Sequence, residues 1–338
     1  MSQPVSGAPI ITFGEVLLRL SPPSAERFFQ SPQLRTQWGG AEANVAAGLA
    51  WLGGRSAHVT LYPDNTLGEA SVRALQGDGV DMSHAQRGLG RQGLYFLDPG
   101  AGQRPLAVTY DRAGSAFASQ RGDEFDWMSI LTGAAWLHVS GVSAALGDGA
   151  YRGVRHAVDA AHALGVPVSL DLNHRPALWA GRDPRPLMQP LAARAALLVA
   201  NPGAIEVMLG IATAGDWPEP RDAVEVTARA VHEQFGCARV AVTQREILSA
   251  SEHAWQAHLL DALADRMWSA HRYRMGVVDR VGGGDSFVAA LLHQFQQGAM
   301  AEEALHFATA ASALKLTIPG DVNRVTHRDI TQFLSSFR

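Results

Sequence analysis

The segment Val277-Val278-Asp279-Arg280-Val281-Gly282-Gly283-Gly284-Asp285-Ser286-Phe287 changes character twice within a few residues. A β-branched run enters three consecutive glycines. An aspartate then opens a stretch with Phe287, Val288, Leu291, Leu292 and Phe295 at helical spacing. Glycines ahead of a helix let backbone N–H groups approach an anion closely, and the helix N-terminus adds partial positive charge at the same point. Gly282, Gly283 and Gly284 are therefore a candidate phosphate cradle, with Asp285 placed to meet a hydroxyl beside the phosphate. The same residues also fit a plain helix start with Asp285 as its cap.

Outward from this segment, apolar strands alternate with amphipathic helices. Strands are expected at Ala135–Val139, Pro167–Leu170, Ala196–Val199 and Arg239–Val242. Helices are expected at Tyr151–Leu164, Pro184–Ala193, Asp222–Phe235, Asp285–Gln297 and Glu302–Leu316. This rhythm predicts an α/β fold, a mostly parallel sheet with helices on both faces. Two regions, about 20–38 and 91–112, do not follow it. The first includes Arg27–Trp38, which reads as a half-exposed strand pair, and the second is turned by Asp98-Pro99-Gly100-Ala101-Gly102. They are expected to form a small β-sheet lid inserted in a single domain over 1–338.

Composition removes several classes of chemistry. Net charge is −4 and no basic patch dominates, which argues against a nucleic-acid partner. Cys237 stands alone, so a disulfide framework and a multi-cysteine zinc site are excluded. Lys315 is the sole lysine, so a Walker lysine loop is absent and Schiff-base chemistry would fall to a residue in an ordinary helical pattern. The start, MSQPVSGAPI, has no positive n-region or long apolar stretch, and 130–146 reads as a strand and turn rather than a membrane span. A cytoplasmic protein is expected.

A second glycine signal is Gly39-Gly40-Ala41-Glu42-Ala43-Asn44, two glycines before a helix rich in small residues. By itself it also fits a glycine turn on a tightly packed helix. Together, Gly39–Asn44 and Asp279–Asp285 resemble the paired motifs of the PfkB, or ribokinase-like, carbohydrate kinases, at a suitable separation and over nearly the whole chain. Further segments are similar to the 2-keto-3-deoxygluconate kinases within that family. They are Leu18-Arg19-Leu20-Ser21-Pro22-Pro23, Gly93–Leu97, Tyr110–Ala116, Asp171-Leu172-Asn173-His174-Arg175 and Val242–Glu246.

The resemblance implies a ribokinase-like three-layer α/β/α sandwich. It implies ATP-dependent phosphorylation of the C6 hydroxyl of a sugar acid, with ATP and Mg²⁺ as cofactors. Asp285 is then the base and Gly282–Gly284 the phosphoryl cradle. The helix N-terminus is expected to favour the carboxylate form of Asp285. Gly40, Asn44, Tyr95, Tyr110, Arg112, Arg175 and Asp321 match sugar-site positions, with Arg112 and Arg175 suited to a carboxylate. Asn201, Thr243 and Arg245, with Gly282 and Gly284, match the nucleotide side. No metal-ligating residue of the protein is implied.

Three departures stand out. Ala204 occupies the glutamate position of the family's Asn-x-x-Glu, with Glu206 the nearest carboxylate. Thr243–Leu248 lacks the two glycines of the family's nucleotide turn, and His174 replaces a common tyrosine. A kinase of a neutral ketose such as fructose, or a non-catalytic sugar-binding relative, fits the same pattern. Lid strands with open edges predict at least a homodimer.

Overall fold

The computed structural model describes residues 7–213, 218 and 220–337. Most of the opening segment read above as lacking a secretory signal, residues 1–6, lies outside them. The main sheet runs, in spatial order, Arg266–Ser269, Glu252–Asp261, Arg239–Ser249, Leu197–Ala200, Val168–Asp171, Trp136–Ser140, Ile10–Phe13 and Ser56–Val59. From Arg239–Ser249 to Ser56–Val59 every pairing is parallel. Beyond it the pairings turn antiparallel, and Tyr273–Gly276 also joins Glu252–Asp261.

Alternation along one strand shows why there are three layers. Leu197 and Val199 pack on one side with Phe287, Leu291 and Leu305, whereas Leu198 and Ala200 pack on the other with Val154, Ile205 and Val224. The first side is covered by the helices Ala41–Trp51, Gly283–Gln296 and Ala301–Lys315, the second by Asp148–Leu164, Pro202–Leu209 and Arg221–Phe235. Asp148–Leu164 illustrates the local logic. Ala150, Val154, Ala157, Val158 and Ala161 make its buried face, and Gly165 in the left-handed region ends it.

The lid is a separate sheet in the order Arg35–Gly39, Leu17–Ser21, Leu94–Asp98, Ala107–Asp111. The β-rich stretch from Ile10 to Ser21 supplies two strands, Ile10–Phe13 in the main sheet and Leu17–Ser21 in the lid. The expected strand pair over 27–38 is a single strand, Arg35–Gly39, preceded by turns. The antiparallel ribbon over 252–276 has no counterpart among the expected strands. Its longest strand is buried at most positions, so apolar alternation vanishes there.

The Ala41–Trp51 and Gly283–Gln296 helices position the site. A Cβ on Gly48 would lie 3.0 Å from the Cβ of Ala289, so these helices meet along a seam of small residues. One turn towards their N-termini, the same seam faces Asn44 to Asp285. Among the described residues, no helix is long and apolar enough to cross a membrane.

Candidate active site

The carboxyl ends of Val168–Asp171 and Leu197–Ala200 open on a cavity of about 630 Å³ beneath the lid. Every site residue expected from the sequence lines it. The Gly40 turn and Asn44 come from the first small-residue helix, Tyr95, Tyr110 and Arg112 from the lid. Arg175 and Asn201 follow main-sheet strands and Thr243 and Arg245 lie within the Arg239–Ser249 strand, while Gly282, Gly283, Gly284, Asp285 and Asp321 close the C-terminal side.

Gly282, not Asp285, caps the Gly283–Gln296 helix, at φ +81° and with no side-chain cap bond. A Cβ there would stand 1.9 Å from the Asp321 carbonyl oxygen. The glycine is thus required both by conformation and by the backbone of the neighbouring loop. Asp285 is the third helical residue, and its Oδ2 accepts from Asn44 Nδ2 at 2.7 Å. The plain capping role does not describe it.

Burial pushes the Asp285 carboxyl up to about 7, against the Asn44 hydrogen bond and the Arg175 charge, which pull it down. This corrects the expectation that the helix N-terminus favours its carboxylate, because desolvation outweighs the helix end. Asp171 is also raised to about 7, by burial first and then by the Asp285 charge. Asp171 lines the cavity and was not among the expected site residues. Its signal was available at the head of Asp171–Arg175.

The lid side is internally paired. Tyr95 donates its hydroxyl to Asp321. Arg19 donates to Asp321 at 2.9 Å and pairs with Asp279 at 2.7 Å. Arg19 was missed as well, because its burial in the Leu17–Ser21 strand and its carboxylate partners far along the chain appear only in the structure. Arg112 donates Nε to Glu15 Oε2 at 2.8 Å, and both side chains are buried. The other face of the cavity gathers positive charge. Arg245, Arg280 and Arg175 lie close enough that burial and mutual repulsion lower Arg245 to about 10 and also lower Arg280. Arg280 lies within the decisive segment but was not among the expected site residues.

The departures from the family pattern take definite positions. Asn201 Oδ1 accepts from the Ala204 N–H at 2.9 Å and caps the Pro202–Leu209 helix. Ala204 is buried, and exposed Glu206 accepts from Thr213 at 3.2 Å without lining the cavity. Glu206 therefore stands outside the cavity wall. His174 lines the cavity, and Thr243 donates to the Ala200 carbonyl at 3.4 Å.

The family model described as pfkB family carbohydrate kinase matches residues 8–328. The chain belongs to this family. It is a carbohydrate kinase. A 2-dehydro-3-deoxygalactonokinase of Haloferax volcanii is 31% identical over 327 residues, which cover 97% of this chain and 96% of that protein. A 2-dehydro-3-deoxygluconokinase of Thermoproteus tenax is 27% identical, covering 92% of this chain and 89% of its own. The crystal structure of 2-dehydro-3-deoxygluconokinase from Thermotoga maritima superposes with a TM-score of 0.93 at 39% identity, over 97% of this chain and 98% of that one. The ribokinase-like architecture of sheet and lid is that of the pfkB family.

Proposed function

We propose that this kinase transfers the γ-phosphoryl group of ATP to the C6 hydroxyl of 2-keto-3-deoxy-D-gluconate. The observation that carries the proposal is Asp285, buried beside the Gly282–Gly284 helix start in a cavity that also holds Arg112 and Arg175. The names of the similar proteins support the acid substrate.

The step balances simply. Asp285 takes the hydroxyl proton, O6 bonds to the γ-phosphorus, and the bond to the bridging oxygen of ADP breaks. Asn44 holds one Asp285 oxygen, which leaves the other for the acceptor hydroxyl. The N–H groups of Gly283 and Gly284 begin a helix and carry no intrahelical partner, so they suit the charge on the moving phosphoryl.

The residues present fit a nucleotide polyphosphate. A Cβ on Gly284 would meet nothing within 4 Å, so an anion can reach the backbone there. Arg245 and Arg280 supply positive charge, and Asn201 and Thr243 line the same side. Among the described residues, no cluster of three or more His, Cys, Asp or Glu could hold a metal ion. Mg²⁺ would ride on the phosphates, where it neutralises developing charge.

The deciding assay is coupled ADP release with Mg-ATP and 2-keto-3-deoxygluconate, its galactonate epimer, fructose or ribose. Turnover confined to the acids is the expected outcome, and turnover on fructose equal to that on the acids would discard the carboxylate assignment. Arg112→Ala should lower kcat/KM for the acid by roughly 30-fold or more while leaving a neutral sugar less affected. Because this change strands the buried Glu15 charge, it is best read in a Glu15→Gln background. Equal losses on both sugars would exclude Arg112 as the carboxylate reader.

The lid ends on Ala107–Asp111, an edge strand exposed at Ala107, Val108 and Thr109. Pairing of two copies through the lid would cover it. Light scattering should give at least a dimer, and a monomer at assay concentration would remove that part of the proposal.

A further inference from the structure

The sole lysine of the chain is not on the surface. Lys315, at the end of the Ala301–Lys315 helix, is fully buried. Its Nζ donates to two main-chain carbonyls, Ile318 at 3.1 Å and Asp279 at 3.3 Å. These carbonyls belong to two different loops. One precedes the glycine cradle. The other follows the Ala301–Lys315 helix and carries Asp321, whose carbonyl touches Gly282.

The same two loops are joined at several further points. Val278 and Asp279 donate their N–H groups to the Leu316 carbonyl at 2.8 and 3.1 Å. Asp279 accepts from the Gly320 N–H across the two loops at 3.0 Å, and within its own loop from the Val281 N–H at 3.1 Å. A lysine head buried among carbonyls, with Asp279, Asp321 and Asp285 as the nearby counter-charges and Arg19 as the opposing one, is a costly arrangement for packing alone. A buried methionine would fill similar volume without the desolvation penalty.

We propose that Lys315 is a tethered monovalent cation, a positioning residue that fixes the two loops so that the Gly282–Gly284 N–H groups point into the cavity. It rests on those glycines being the phosphoryl cradle. Since the cation is part of the chain, the enzyme needs no free potassium, sodium or ammonium. Shortening the side chain leaves a carbonyl-lined space that a small monovalent ion fits and a bulky one does not.

The test compares wild type with Lys315→Ala and Lys315→Met in choline chloride, potassium chloride and ammonium chloride at equal ionic strength. Wild-type turnover should change less than about twofold among the salts. Lys315→Ala should lose roughly 10²-fold in choline, the scale of a small misplacement of catalytic groups. Ammonium or potassium should restore it saturably. Lys315→Met, with the space filled, should stay low in every salt.

Thermal melting of the same proteins gives a readout independent of activity. The melting temperature of Lys315→Ala should rise with ammonium or potassium and not with choline. Accumulation of Lys315→Ala only in ammonium would also support the idea. Strong potassium activation of wild type, or an alanine variant that melts and turns over alike in all three salts, would overturn it. If wild type shows no kinase activity at all, the proposed reaction fails while the melting series still decides the cation.

Discussion

Asparagine at position 285 leaves a protein that binds sugar acid and turns it over roughly 10²- to 10⁴-fold more slowly. The substitution preserves shape, and its carbonyl oxygen can still accept from Asn44, which bonds the native carboxylate at 2.7 Å. What it removes is the capacity to take a proton. Near-normal turnover would exclude Asp285 as the base. Since burial lifts this carboxyl to about 7, wild-type kcat/KM should rise with pH up to about that value and then level.

The same burial sets the sign of a stability effect. The folded value lies above the ordinary carboxyl value, so the native state holds its proton more tightly than the unfolded chain. That contribution is complete below the unfolded pKa and is lost as pH rises through about 7. At pH 8 the wild type carries a buried charge that Asp285→Asn lacks, so the variant should melt roughly 2–4 °C higher. A variant less stable than wild type at pH 8 would mean that the carboxylate is better solvated than its burial implies.

Gly282→Ala is the second change with a large expected effect. The residue sits at φ +81°, and the added methyl would stand 1.9 Å from a backbone oxygen of the Asp321 loop. Backbone cannot swing aside as a side chain can, so the loop or the helix start must move. Displacing one oxyanion donor costs about 10²- to 10³-fold in turnover, and that is the expected loss. Gly284→Ala, with nothing within 4 Å of its Cβ, should keep the fold while obstructing the anion. If Gly282→Ala turned over like wild type, the helix start would not be the cradle.

Much of this site was legible in sequence because its parts are local. The glycine run, Asp285 and the small-residue helix around Asn44 each carry their signal within a few positions. The same holds for the four parallel strands read near 135–139, 167–170, 196–199 and 239–242, whose apolar runs stand out between helical stretches. Arg19 and Glu15 were not legible, since each acquires meaning only from a partner far along the chain, Asp321 and Arg112. The protonation of Asp285 was misjudged for a related reason. A helix start can be read from sequence, but burial by the rest of the molecule cannot. The antiparallel ribbon over 252–276 escaped because burial on both faces erased its alternation.

The cavity joins residues from the two ends of the chain, and this dictates when during synthesis it can exist. Asn44 meets Asp285 across 241 positions, and Arg19 meets Asp321 across 302. Contacts of such separation close late. A nascent chain can lay down its first parallel strands and the lid long before the glycine run leaves the ribosome. Until then Arg19 has neither of its carboxylate partners, and the lid has no floor to close against. Chains terminated before Asp321 would hold the whole large sheet yet leave Arg19 without one of its two carboxylates and the cavity without its C-terminal wall.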